Sequence, residues 1–179
     1  IRFISVDDGY TPPKTVEMTR KLVESDQVLL MFNQLGTAPN AAIQKYLNTK
    51  GIPHLFLSTG AGRFIDPKAS PWSMAFLPGY QTEGRVYGEH VVRTRPEAMI
   101  AVLYQNDDYG RDFLKGFREG LGDKVKNIVA EATYEATDPT VDSQVVSLKT
   151  SGATVFLNIS LAKQASQAIR KAFDIGWKP

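Results

Sequence analysis

MIAVLYQNDDYGRDFLKGFREGL, residues 99–121, decides the fold. Its first five residues are an unbroken apolar run, the pattern of a strand buried on both faces. Gln105, Asn106, Asp107 and Asp108 form a polar break. Phe113, Leu114, Phe117 and Leu121 then recur at helical spacing. A buried strand, a polar turn and a helix start make a βα turn, the place where open α/β sheets hold ligands, beyond the carboxyl ends of their strands.

The same alternation extends in both directions. Upstream, residues 1–6 read as a strand that ends in Asp7, Asp8 and Gly9. Thr11 before Pro12 marks a helix start, with Val16, Leu22 and Val23 as its apolar stripe to about Ser25. Residues 28–32 are expected to be a second strand, and a helix follows over 38–50 with Gly51 as its stop. Residues 53–57 are a third strand, 63–71 an irregular segment, 72–77 a short strand and 81–92 a helix. Downstream, 127–134 reads as a strand, and Asp138, Pro139 and Thr140 open a helix that carries Val141, Val145 and Leu148 on one face. Residues 154–157 are a strand. The last helix covers 162–174, with Ala165, Ala168, Ile169, Ala172 and Phe173 expected inward. Strands alternating with helices mean βαβ units and a mostly parallel sheet. The strongest breaks lie between Pro78 and Pro96, so the chain divides near Leu77 into lobes 1–77 and 78–179.

Bulk composition narrows the function. The 179 residues are 42% hydrophobic and 22% charged, an ordinary globular balance. Lys and Arg number 21 against 19 Asp and Glu, so the net charge is +2; with no basic block, nothing favours a nucleic-acid partner. There is no cysteine, which excludes disulfides, thiol nucleophiles and cysteine metal sites. No apolar run reaches the roughly 18 residues of a membrane span. The chain opens in mid-strand and closes on Gly176, Trp177, Lys178 and Pro179, the lead-in to another. It therefore reads as a piece of a longer protein, which leaves room for a leader outside these residues.

Four strand ends carry small or polar residues: Gln34, Leu35, Gly36 and Thr37; Ser58, Thr59, Gly60, Ala61 and Gly62; residues 106–110; and Asn158, Ile159 and Ser160. Glycine admits a ligand to the backbone, and hydroxyls with free N–H groups hold an anion. Any one of these is an ordinary turn by itself, but strand ends on one edge of a sheet converge. Asp107, Asp108 and Asp112 match no metal-loop spacing and are better read as helix-start acids. His54 and His90 are read as structural. Tyr104, Tyr109, Phe76 and Trp72 are open to two readings, pocket lining and core. Arg63 is open to pairing with an anion or to plain solvation. No GxSxG elbow, Walker lysine or GxGxxG is present.

The segments DDGYTPPKTVEMTRKLVESDQV, LGTAPNAAIQKYLNTKGIPHLF, FLPGYQTEGRVYGEHV, IAVLYQNDDYGRDFLKGFREGL and DPTVDSQVVSLKTSGATVFLN resemble, in order, the type I periplasmic binding proteins of ABC transporters, in the branched-chain amino acid (leucine/isoleucine/valine) receptor group. The resemblance implies two doubly wound, Rossmann-like parallel-sheet lobes, here incomplete, that close on a ligand. It implies that the loops at Leu35, Gly36 and Thr37, and at Gly60, Ala61 and Gly62, hold a ligand carboxylate; Ser58 and Thr59, which lead into the second loop, are counted with it as ligand-binding candidates. Tyr109 of the YG pair would close over the ligand from the second lobe, with Asn158 and Ser160 as pocket wall. It further implies an extracytoplasmic receptor, monomeric when intact and delivered by a signal peptide, that hands a small amino acid or organic acid to a membrane permease without cofactor or catalysis. Gly62 stands where amino-acid binders carry a hydroxyl, which leaves aliphatic amino acids and aromatic carboxylates both open. Two rival readings share the fold: an enzyme using a nucleotide or phosphate substrate, and the ligand-binding domain of a sensory receptor.

Overall fold

The computed structural model describes residues 1–179. The chain forms two compact units, Ile1–Gly79 and Tyr80–Pro179.

In the first unit, helix α1 (Pro12–Arg20) begins with proline at its first turn, where the missing N–H removes no helical bond, and runs on through one π turn to Ser25. Strand β1 (Met31–Phe32), helix α2 (Thr37–Lys50), strand β2 (His54–Leu57) and strand β3 (Ser73–Ala75) follow. The sheet order is β1-β2-β3, all parallel, with Met31 opposite His54 and His54 opposite Ser73. Leu22, Met31, Ile43 and Leu47 are buried together, with Val16, Val23 and Val28 packed on them. Gly51 ends α2 at φ 65°, as expected of a left-handed stop.

Three expectations fail here. Residues 1–6 join no ladder, and Phe3 is 76% exposed. Apolar alternation proposes a strand, but only a neighbouring edge makes one. The second strand is shorter than 28–32 because Val28 N–H donates to Leu22 O (3.1 Å), which holds the chain against the end of the helix. Pairing starts only where Met31 N–H reaches Pro53 O (2.8 Å). The strand expected over 72–77 narrows to Ser73–Ala75. Within β2 the register shifts between Leu55 and Leu57, and Phe56 takes φ 57°, a bulge that turns its ring edge-on to Phe32 and Phe76.

The second unit contains α3 (Tyr80–Thr94), β4 (Ile100–Gln105), α4 (Asp108–Leu121), β5 (Ile128–Tyr134), α5 (Asp142–Thr150), β6 (Val155–Ile159) and α6 (Ala162–Asp174). Its sheet is parallel, in the order β5-β4-β6. The central strand is buried on both faces. Ile100 and Val102 pack with Phe113, Leu114, Phe117 and Leu121 of α4, whereas Ala101 and Leu103 pack with Val145, Leu148, Ala168 and Ala172 of α5 and α6. Each fully buried Leu or Phe in these clusters contributes about 1.5–3 kcal/mol.

Helices α3 and α4 meet at backbone contact. A Cβ built on Gly84, Gly88, Gly116 or Gly120 collides with main-chain atoms of the facing helix. The two pairs are each spaced by four, so they present one smooth stripe per helix. On α6, Gln164, Ala168 and Ala172 take the inward stripe, and Ile169 and Phe173 point out at 65% and 77% exposure, contrary to the inward placement read from their apolarity. One residue along a helix turns a side chain by about 100°, which carries both off the buried stripe. Helix α5 starts at Asp142, not at Asp138, because Asp138 closes a turn with Glu135 (Asp138 N–H to Glu135 O, 2.9 Å) and Thr140 bonds Asp142.

Candidate functional site

In the first unit the ends of β1 and β2 are laced together. Leu35 and Ser58 form a parallel bridge; Ser58 N–H donates to Gln34 O (3.0 Å) and Gly36 N–H to Ser58 O (3.2 Å). This brings the Thr37 and Thr59 hydroxyls to 2.7 Å, and Ala61 N–H donates to Thr59 Oγ1 (3.2 Å). Gly36, Thr37, Thr59, Gly60 and Ala61 are buried, Ser58 is half-buried, and Leu35 and Gly62 are exposed. Asn40 Nδ2 holds the loop from behind, donating to Gln34 O and Gly36 O, while its buried Oδ1 has no partner.

The electrostatics of this edge favour an acceptor. Gly36 at the cap of α2 provides no side-chain bond, and the first turn of α2 carries no acid, so the positive end of the helix is left without a counter-charge. Of the two paired hydroxyl hydrogens, one bridges the pair and the other is left for a further acceptor. Free N–H groups and a spare O–H at a helix start are the ordinary chemistry of anion binding.

The second unit differs. Asp107 already caps α4, its Oδ1 accepting from Tyr109 N–H (3.0 Å) and Gly110 N–H (3.3 Å). Asp107 Oδ2 accepts from Gln105 Nε2 (2.6 Å); Tyr134 Oη donates to Gln105 Oε1 (3.2 Å) and accepts from Leu161 N–H (3.0 Å). One hydrogen-bonded chain therefore ties the ends of all three strands. Burial raises the Asp107 pKa against the opposing pull of these bonds, and burial likewise raises that of Tyr134. The sequence placed Gln105 in the polar break after the strand without marking it as a site residue, and it gave no sign of Tyr134. For Gln105 the signal was a polar residue closing an otherwise apolar strand, whereas β5, with Glu131 and Thr133, offered none.

Tyr109 packs its ring against Tyr80 (centroids 4.9 Å apart) and edge-on to Phe113 (6.5 Å). Burial, with the neighbouring Tyr80 second, pushes its hydroxyl pKa up. Asn158 stands opposite Leu103 in β6, and its buried Oδ1 has no partner. Ser160 Oγ is also buried; it neighbours the Tyr134 hydroxyl without the geometry of a hydrogen bond.

The other candidates find structural places. Asp108 pairs with Arg111 (3.1 Å), and Asp112 accepts from Gln81 Nε2 (3.4 Å). No group of three or more His, Asp or Glu side chains is arranged to hold a metal ion. His54 is fully buried with neither ring nitrogen bonded, whereas His90 is exposed on α3. Trp72 and Phe76 belong to the first unit and are exposed, whereas Tyr104 and Tyr109 pack against the α4 side of the second. Arg63 Nε donates to Gln44 Oε1 (3.1 Å).

The sequence profile of the family described as periplasmic binding protein matches residues 1–179. The chain belongs to this family. The periplasmic binding proteins are solute-binding receptors of ABC transporters and act outside the cytoplasm; no helix here is long and apolar enough to cross a membrane. A Leu/Ile/Val-binding protein homolog 7 of Brucella abortus (strain 2308) is 23% identical, over 96% of this chain and 45% of its own length. A solute-binding protein of an ABC transporter from R. palustris, solved with benzoate, superposes with a TM-score of 0.85 at 20% identity, over 99% of this chain and 49% of its own. A branched-chain amino acid transporter substrate-binding protein from Streptococcus pneumoniae, solved with isoleucine, gives 0.79 at 20% identity, over 98% and 50%. These likenesses establish the fold. The chain spans about half the length of the curated relatives it matches.

Proposed function

We propose that this chain is part of an extracytoplasmic receptor that binds a small carboxylate and delivers it to the permease of an ABC importer. The observation that carries the reading is the uncapped start of α2 beside the Thr37–Thr59 hydroxyl pair. Leu35, Gly36, Thr37, Ser58, Thr59, Gly60, Ala61 and Gly62 would form the anion-holding edge. Tyr109 would cover the ligand from the second lobe, with Asn158 and Ser160 as wall. Binding would shift the whole protein from an open to a closed population, and the closed form is what a permease reads. The ligand is an amino acid or an organic acid; the benzoate and isoleucine in related structures support both classes.

The test is thermal unfolding of the full natural protein across a panel of aliphatic amino acids and aromatic acids. A ligand at 100 times its Kd adds about 2.7 kcal/mol of stability. Chemical turnover of a panel member, or no stabilisation by any of them, would remove the reading.

A further inference from the structure

Tyr10 lies outside every strand-end loop considered above, yet its ring rests on Gly36. A Cβ built on Gly36 would run into Tyr10 Cε2, with Cζ and Cδ2 next nearest. Gly36 has φ 100° and no side chain, so the ring lies directly on the backbone from which α2 starts.

Tyr10 is held there by its own loop. It takes φ 57°, a conformation that a bulky residue rarely adopts without outside support. Asp8 supplies that support. Its Oδ1 accepts from Tyr10 N–H (2.9 Å), and its Oδ2 accepts from Thr15 Oγ1 (2.6 Å) and Gln34 Nε2 (3.0 Å). The Gln34 bond joins the Tyr10 loop to the loop that carries Leu35, Gly36 and Thr37. The tyrosine loop and the helix start are therefore tied to each other through Asp8.

We infer that Tyr10 is a specificity-determining wall of the carboxylate site and selects flat aromatic carboxylates over branched aliphatic amino acids. The inference rests on the receptor reading and names the ligand class for the same loops. A carboxylate seated on the first N–H groups of α2 would lie beside Gly36, and a carbon skeleton carried over that residue would meet the Tyr10 ring. A planar ring gains offset or edge-to-face contact with a tyrosine that a branched chain cannot match.

The experiment is calorimetric titration of the full natural protein with benzoate, 4-hydroxybenzoate, L-leucine and L-isoleucine, on the wild type, Tyr10→Phe and Tyr10→Leu. Leucine keeps bulk and removes the planar ring. The wild type is expected to prefer the aromatic acids. Tyr10→Phe is expected to keep that preference, and Tyr10→Leu to lose tenfold or more affinity for them with little change toward the amino acids. A wild type that prefers leucine or isoleucine, or a Tyr10→Leu protein that is equally weakened toward both classes, overturns the inference and leaves the receptor reading standing. A wild type that binds none of the four and no member of the wider panel removes both. Melting temperatures of the three proteins, taken without ligand, separate loss of fold from loss of selectivity.

Discussion

The hydroxyls of Thr37 and Thr59, 22 positions apart in the chain, lie 2.7 Å from each other and are buried. Thr59 Oγ1 also accepts the Ala61 N–H, so one oxygen organises the turn after β2 and the start of α2 together. Thr59→Val keeps the shape and removes both bonds. It leaves Thr37 Oγ1 and Ala61 N–H buried without partners, at about 1–3 kcal/mol in stability. Denaturant unfolding should show that loss, and titration of the ligand found by panel screening should show a fall in affinity beyond it. Unchanged ligand affinity would make the pair purely structural.

His54 predicts a pH dependence. It is fully buried with both ring nitrogens unbonded, and burial lowers its pKa from 6.5 to about 4. The unfolded chain takes up the proton first, so this contribution to stability is complete above pH 6.5. It is lost as pH falls from 6.5 to 4 and is constant below that. The full span is about 3 kcal/mol. His54→Leu should flatten this part of the stability–pH curve and leave stability at pH 7 equal or higher, since no hydrogen bond is lost. A wild-type curve that is flat between pH 4 and 6.5 would contradict the buried neutral state.

Tyr109 requires a finer variant than alanine. A tyrosine that served only to cover a ligand would lose binding far more than folding on truncation to alanine. The ring, however, is half-buried against Tyr80 and Phe113, so that truncation also removes packing contacts, at a cost below the roughly 3–5 kcal/mol of a fully buried aromatic. Tyr109→Phe keeps the packing and deletes the hydroxyl. It is expected to leave the melting temperature within a degree or two, and weakened ligand binding in that variant would identify the hydroxyl as the contact.

The α3–α4 contact has no room for a methyl group. Gly116→Ala places Cβ against the main chain of Gln81 and should destabilise by about 1–3 kcal/mol, because backbone atoms cannot rotate aside. Gly122→Ala is the contrast: it meets no atom within 4 Å but sits at φ 52°, so any loss there reflects backbone conformation rather than collision. Equal losses in the two variants would argue against close helix packing.

The strand, turn and helix of residues 99–121 were legible because each signal is local. A continuous apolar run, an aspartate at the cap and a helical stripe need no distant partner, and β4 and α4 lie within a residue or two of the reading. The last helix, Ala162–Asp174, was legible for the same reason, yet its inward face was not. Apolarity alone could not show that Ala168 and Ala172 take the sheet and leave Ile169 and Phe173 in solvent. Residues 1–6 failed in the same way: alternation describes a willing strand, and a ladder needs an edge beside it.

The chain's own letters determined an alternating α/β protein of parallel sheets, with helix starts and stops at Pro12, Asp107 and Gly51, since capping and periodicity act over a few residues. Tertiary structure alone decided that Thr37 meets Thr59, that Asp8 reaches Gln34, that Tyr10 lies on Gly36 and that His54 is sealed from water. Each of these depends on groups distant in sequence being brought within a few ångströms. Hydrogen bonds and desolvation vanish beyond that range, so no local pattern records them.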